Sequence, residues 1–176
     1  MERECRDSTR VRVAAWSLVR LGVALFAVVL LISPSAVAEE GLPGRTEYVE
    51  RVEPICEQGT DASDRILDGV RDKVKNDRLS SAGHQFLRAA DAFGKTIERV
   101  DAVPRPSADE PRLRRWIDLL RKVAQGLHAI GIDLQRGDRV RANHDAIRAE
   151  RSGNAANNAG FAFNFHSCRL RSSMFS

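Results

Sequence analysis

The chain has 176 residues, with 28 Lys+Arg against 24 Asp+Glu and a formal net charge of +4. That length allows one ordinary domain or two small ones. With 30% charged and 43% hydrophobic residues, a fully disordered chain is excluded. The presence of a single long apolar run excludes a polytopic membrane protein.

Residues 1–38 read as an export leader. Arg3, Arg6, Arg10, Arg12 and Arg20 make a basic n-region, and twelve uncharged residues follow from Leu21 to Ile32. Pro34 then breaks the helix, and Ala36 and Ala38 supply the small side chains that signal peptidase needs. Cleavage after Ala38 makes Glu39 the first mature residue. The alternative is a retained anchor over residues 13–32 with the C-terminal domain outside, and membrane contact arises only in that case. A spanning helix needs about 20 apolar residues. Reaching that number here takes in Arg20, which is costly in a bilayer. No cysteine stands where a lipoprotein would need one.

The leader also carries much of the charge. It holds five Arg and three acidic residues, so the mature part has 23 basic and 21 acidic residues. Arg112, Arg114, Arg115, Arg121 and Lys122 cluster, but Asp109, Glu110 and Asp118 interrupt them, so no nucleic-acid partner is expected. Of three cysteines, Cys5 leaves with the leader, and Cys56 and Cys168 remain as a pair. Outside the cytoplasm such a pair is expected to form a disulfide.

After a short linker over 39–45, apolar residues recur at helical spacing in four segments of one domain, 46–176. The first, 46–76, carries Tyr48, Val52, Ile55, Cys56, Ile66, Val70 and Val74, with Thr46 as N-cap and Asn76–Asp77 as its end. Pro54 lacks an amide donor and predicts a kink or a late start. The second, 81–101, carries Ala82, Phe86, Ala89, Ala90, Phe93, Ile97 and Val100, capped by Ser80 or Ser81. Pro104, Pro106 and Pro111 mark a connection, where Ser107 and Glu110 fit a capping box. The third, 109–136, is the clearest, with Leu113, Trp116, Ile117, Leu120, Val123, Leu127, Ile130 and Leu134. Gly137 ends it, and Asp138 caps the next at once. The fourth, 138–159, is weaker, with Val140, His144, Ile147, Ala155 and Ala159.

Four amphipathic helices with short links predict an all-α, up-down-up-down four-helix bundle. Its fourth helix ends where the first begins. Cys56 lies about 15 Å up the first helix at ~1.5 Å per residue. Cys168 follows the fourth helix by a stretch that spans up to about 30 Å when extended. The C-terminal tail is therefore expected to be tied back by a Cys56–Cys168 bond. Phe161, Phe163 and Phe165 alternate in that tail. If extended, they point to one side, where they cover the open end of the bundle or meet a partner.

These features resemble a group of small, uncharacterised exported helical-bundle proteins of high-GC actinobacteria. The resemblance is carried by the leader, Tyr48 with Ile55-Cys56, the proline link at Pro104, Trp116, Gly137-Asp138, and a late glycine before Cys168. The ratio of 24 Arg to 4 Lys suits such a genome. The resemblance implies export, helices and a disulfide, and no activity.

No catalytic residue is assigned. The chain has no G-x-S-x-G, phosphate loop or Cys-x-x-Cys. It also lacks HExxH, Glu-x-x-His and Cys-x-x-Cys-His, so no cofactor is expected. Of four histidines, His84 falls on a polar face and His166 in the tail. If a metal or ligand is held between helices, His128 and His144 are the best-placed pair, at similar distances from Gly137. Two functions follow. The first is an exported, non-catalytic module that binds a partner in or near the cell envelope, and it predicts a core without a cavity. The alternative is a small-molecule, haem or metal carrier, and it predicts a pocket lined by His144 or the tail phenylalanines.

Overall fold

The computed structural model describes residues 44–171, all within the second of the two units into which the chain divides at Glu39–Glu40. The leader, its cleavage residues Ala36 and Ala38, and the alternative anchor 13–32 lie outside the described residues. Among the described residues every regular element is helical: α1 (Arg45–Leu67), α2 (Val70–Lys75), α3 (Leu79–Asp101), α4 (Glu110–Gln135) and α5 (Arg139–Gly160). Single 3-10 turns stand at Ser107–Asp109 and Phe161–Phe163.

The legs run up-down-up-down, with α1 and α2 together making the first. Residues at similar distances from an intervening link face each other, as antiparallel neighbours do. Gly59 faces Thr96, Gly83 faces Gly131, and Gly126 faces Ala149. Leu113, Trp116, Ile117, Val123 and Leu127 of α4 are almost completely buried, so α4 is the central helix. It packs against both α3 and α5, while α1 packs against α3.

The helix ends follow local chemistry in part. At the α4 C-terminus Gly137 adopts φ +75°, the Gly137 amide donates to Leu134 O (3.0 Å) and the Asp138 amide to Asp133 O (2.9 Å). This is a Schellman stop. Asp138 then caps α5 by accepting from the Arg141 amide at 2.9 Å. Pro111 sits in the first turn of α4, where the missing donor costs nothing.

Other caps differ from expectation. Gly44 rather than Thr46 precedes α1, Arg78 rather than a serine precedes α3, and Ser107 lies in the 3-10 turn without a capping bond. Pro54 neither delays nor ends α1. It is exposed on the same face as Glu50, so the carbonyl it leaves without a donor stands toward solvent.

The first leg is not one helix over 46–76. It breaks at Asp68–Gly69, where Gly69 adopts φ +66°, a conformation that glycine enters without steric cost. Gln85, buried on α3, braces the break. Its Nε2 donates to the carbonyls of Ile66 (2.8 Å) and Asp68 (2.9 Å).

The tail occupies the side of the bundle between α1 and α5. Cys56 and Cys168 are joined by a disulfide with Cα atoms 4.9 Å apart. Around it, Glu53 accepts from the His166 and Ser167 amides (2.7 and 2.8 Å), and Thr60 Oγ1 donates to Ser167 O at 3.1 Å. From α5, Asn157 accepts from the Leu170 amide and donates to the Leu170 carbonyl, both at 2.9 Å. Arg171 pairs with Asp64 at 3.1 Å. The tail is thus hydrogen-bonded on both sides, like an added strand of irregular backbone.

Candidate functional site

Two ends of the bundle differ in character. At the end where α1 and α4 start, aromatic rings and ion pairs close the structure. Trp116 stacks on Phe165 (centroids 4.6 Å apart), Phe165 on Phe163 (5.5 Å), and the Arg45 guanidinium lies 5.3 Å from the Phe163 ring centre. The same Arg45 makes a forked pair with buried Asp109, at 2.7 Å from Nε and 2.5 Å from Nη2.

The hydrogen-bonded guanidinium holds the Asp109 carboxyl below the usual carboxylate range, against the opposing effect of burial. Burial raises the Asp101 pKa, but Arg105 and Arg121 outweigh it, so this carboxyl is also lowered. A carboxyl with a depressed folded pKa contributes stability above its unfolded pKa, about 3.9 for Asp. That contribution is lost as pH falls through the folded value. The stability gap between wild type and Asp109→Asn is therefore expected to be constant above about pH 5. It should close as the solution becomes more acidic than the ordinary aspartate range. Urea unfolding at stepped pH checks this, and a gap that widens in acid contradicts it.

The tail phenylalanines do not share one side. The segment is a 3-10 turn, with three residues per turn, so positions two apart face different directions. Phe163 and Phe165 are buried, while Phe161 is 70% exposed. The first two therefore cover the bundle end, and only Phe161 is available to a partner.

His128 and His144 are both exposed on the outer faces of α4 and α5. His144 does share a face with Val140 and Ile147, but that face points outward: Val140 is 70% and Ile147 39% exposed. The buried face of α5 is Ala142, Asp145, Ala149, Gly153, Ala156 and Gly160. Its close approach to α4 selects small side chains; a Cβ on Gly126 would stand 2.6 Å from that of Ala149. Among the described residues no three His, Cys, Asp or Glu side chains gather as a metal set.

At the opposite end lies a cavity of about 410 Å3, open to solvent past the exposed Arg71, Lys75, Arg139 and Asn143, between α2, α3, α4 and α5. Val70, Phe86, Ile130, Leu134 and Ala142 line it and are themselves buried; Val74 and Ala146 complete the apolar wall. Arg71, Lys75, Arg139 and Asn143 stand among the same lining residues. Two local features create the space. The Gly69 break, held by Gln85, turns α2 onto α3, and the facing stretch of α5 offers alanines where larger side chains would fill the gap. A smaller void of about 80 Å3 lies under the tail beside Trp116 and Phe165.

The larger cavity is lined neither by His144 nor by the tail phenylalanines; Phe161 and Phe165 line the smaller one. Gln85, Glu53 and Asn157, which set the break and hold the tail, carry no motif. The one available signal is a polar residue inside an apolar stripe, as Gln85 beside Phe86. No family model, curated protein or solved structure matches this chain.

Proposed function

We propose that this chain is an exported, non-catalytic binding protein that holds a small apolar molecule between its helices. The observation that carries the reading is the cavity of about 410 Å3 walled by buried side chains of four helices. Small-molecule sites occupy about 300–1,000 Å3 with mostly apolar walls.

The buried disulfide supports export, since such bonds persist in oxidising compartments. It agrees with the leader and Ala36–Ala38 site read from the sequence. Among the described residues no helix is long and apolar enough to cross a membrane. The side chains with displaced pKa values, Arg45, Tyr48, Asp101, Asp109 and Arg121, belong to the end of the bundle away from the cavity. The second reading, a module that docks a partner near the cell envelope, is favoured by exposed Val140, Ile147 and Phe161.

Protein recovered from the exported fraction of expressing cells is expected to begin at Glu39 by N-terminal sequencing. Native mass spectrometry of that protein should show an extractable small molecule in addition to the polypeptide. A chain that begins at Met1 and stays with membranes counts against export. A bare polypeptide mass in every preparation counts against the carrier reading and leaves the docking module.

A further inference from the structure

We infer that the molecule held in this cavity is a small anionic amphiphile, its apolar part between α2, α3, α4 and α5 and its acidic group at Lys75; this rests on the carrier reading above. The lining combines an apolar wall with three cationic side chains, Arg71, Lys75 and Arg139, and contains no carboxylate. A neutral apolar guest needs none of these charges, and the lining offers a cationic guest no carboxylate to pair with.

The cations are not equally committed. Arg139 pairs with Asp77 at 2.6 Å across the mouth, which uses one of its donor nitrogens. A guanidinium has five N–H donors, so others remain. Lys75 makes no ion pair among the described residues, although it sits in the last turn of α2 beside the opening. Its exposed ammonium carries three donors and no acceptor, so it can receive the acidic group of a ligand at the opening.

Size narrows the class further. If each water-sized group takes about 30 Å3, the cavity of about 410 Å3 holds roughly a dozen non-hydrogen atoms. A two-chain lipid is far too large. A medium-chain carboxylate is the simplest molecule that matches wall, charge and volume together.

The test is displacement of the uncharged fluorescent probe 1-aminonaphthalene, which is small enough for that space, from the exported protein by three ligands below their micellar concentrations. These are decanoate, 1-decanol and decyltrimethylammonium, which share a chain and differ in charge. Decanoate should displace the probe at a concentration about tenfold lower than decanol, and the cation least well. That ratio corresponds to several exposed ion pairs, each worth little alone. Lys75→Gln should weaken decanoate about threefold to fivefold, leave decanol unchanged, and reduce the sensitivity of decanoate to salt. Ala146→Phe, which places a ring in the cavity, should abolish probe binding in a chain that still melts cooperatively. Equal displacement by decanoate and decanol, or best displacement by the cation, overturns the anionic class and leaves the carrier reading standing. A probe that does not bind, or that binds Ala146→Phe as well as wild type, overturns the carrier reading and this inference with it.

Discussion

Cys168→Ser is expected to lower stability by about 2–4 kcal/mol and to free the tail after Gly160, while α3 and α4 stay formed. The disulfide closes a loop across a sequence separation of 112. Constraint of the unfolded chain alone gives up to about 4.7 kcal/mol for a loop of that order. Against a total of about 5–15 kcal/mol for a domain, the loss is large. It falls unevenly because the tail has few apolar anchors, Phe163, Phe165 and Leu170, and is otherwise held by hydrogen bonds to Glu53, Thr60 and Asn157 and by the Arg171–Asp64 pair.

Once untied, the tail can lift Phe165 off Trp116. With the leader removed, Trp116 is the only tryptophan, because the other of the two is Trp16. Its fluorescence should therefore shift toward that of an exposed indole before the helices melt. Hydrogen exchange should show lost protection over 161–171 and along the face of α1 that carries Glu53 and Thr60. An unchanged urea midpoint together with unchanged exchange in the tail would contradict the account.

Two glycines in one helix should respond to alanine with opposite signs. Gly83 and Gly94 both lie within α3. Alanine at either position gains helix propensity of about 0.8–1 kcal/mol over glycine. At Gly94 nothing stands within 4 Å of an added Cβ, so Gly94→Ala should keep that gain. At Gly83 the added Cβ would stand 2.6 Å from the Gly131 carbonyl oxygen and 3.0 Å from the Gln135 amide nitrogen.

Those neighbours are backbone atoms of α4, which cannot swing aside as the end of a flexible side chain would. The two helices must separate, and their shared apolar surface opens with them. Overpacking of this kind costs about 1–3 kcal/mol, so Gly83→Ala should be net destabilising by up to about 2 kcal/mol. Thermal or urea unfolding of the two variants side by side decides the matter. If Gly83→Ala is as stable as Gly94→Ala, the close crossing of α3 and α4 is not real.

The same crossing explains much of what could and could not be read in advance. The α4 stripe through Leu113, Trp116, Leu120 and Leu127 is large and regular, and α4 is the helix buried most deeply. Gly137 and Asp138 act on their own neighbours within one turn, so the stop and the cap were legible from residue type alone. The Cys56–Cys168 pair followed from counting and from the direction of the legs. In α5 the same reasoning picked Val140, His144 and Ile147 as the inner face, and that face is exposed. Apolar periodicity measures transfer from water. A helix that approaches its neighbour closely is chosen instead for small volume, as Ala142, Ala149, Ala156 and Gly160 show.

Local residue pattern set the helical composition, the number of legs and the stops at Asn76–Asp77 and Gly137, because each depends on contacts within a few residues. Counting determined which cysteines meet, because two remain once the leader is set aside. The break at Gly69, the tail between α1 and α5, and the cavity arise from contacts far apart in the chain. The break depends on Gln85 reaching two carbonyls 19 and 17 positions away. The tail depends on Glu53 meeting amides more than 100 positions distant. The cavity is a mismatch of volumes among side chains of four helices, and no local pattern encodes a space that exists only where those helices fail to fill one another.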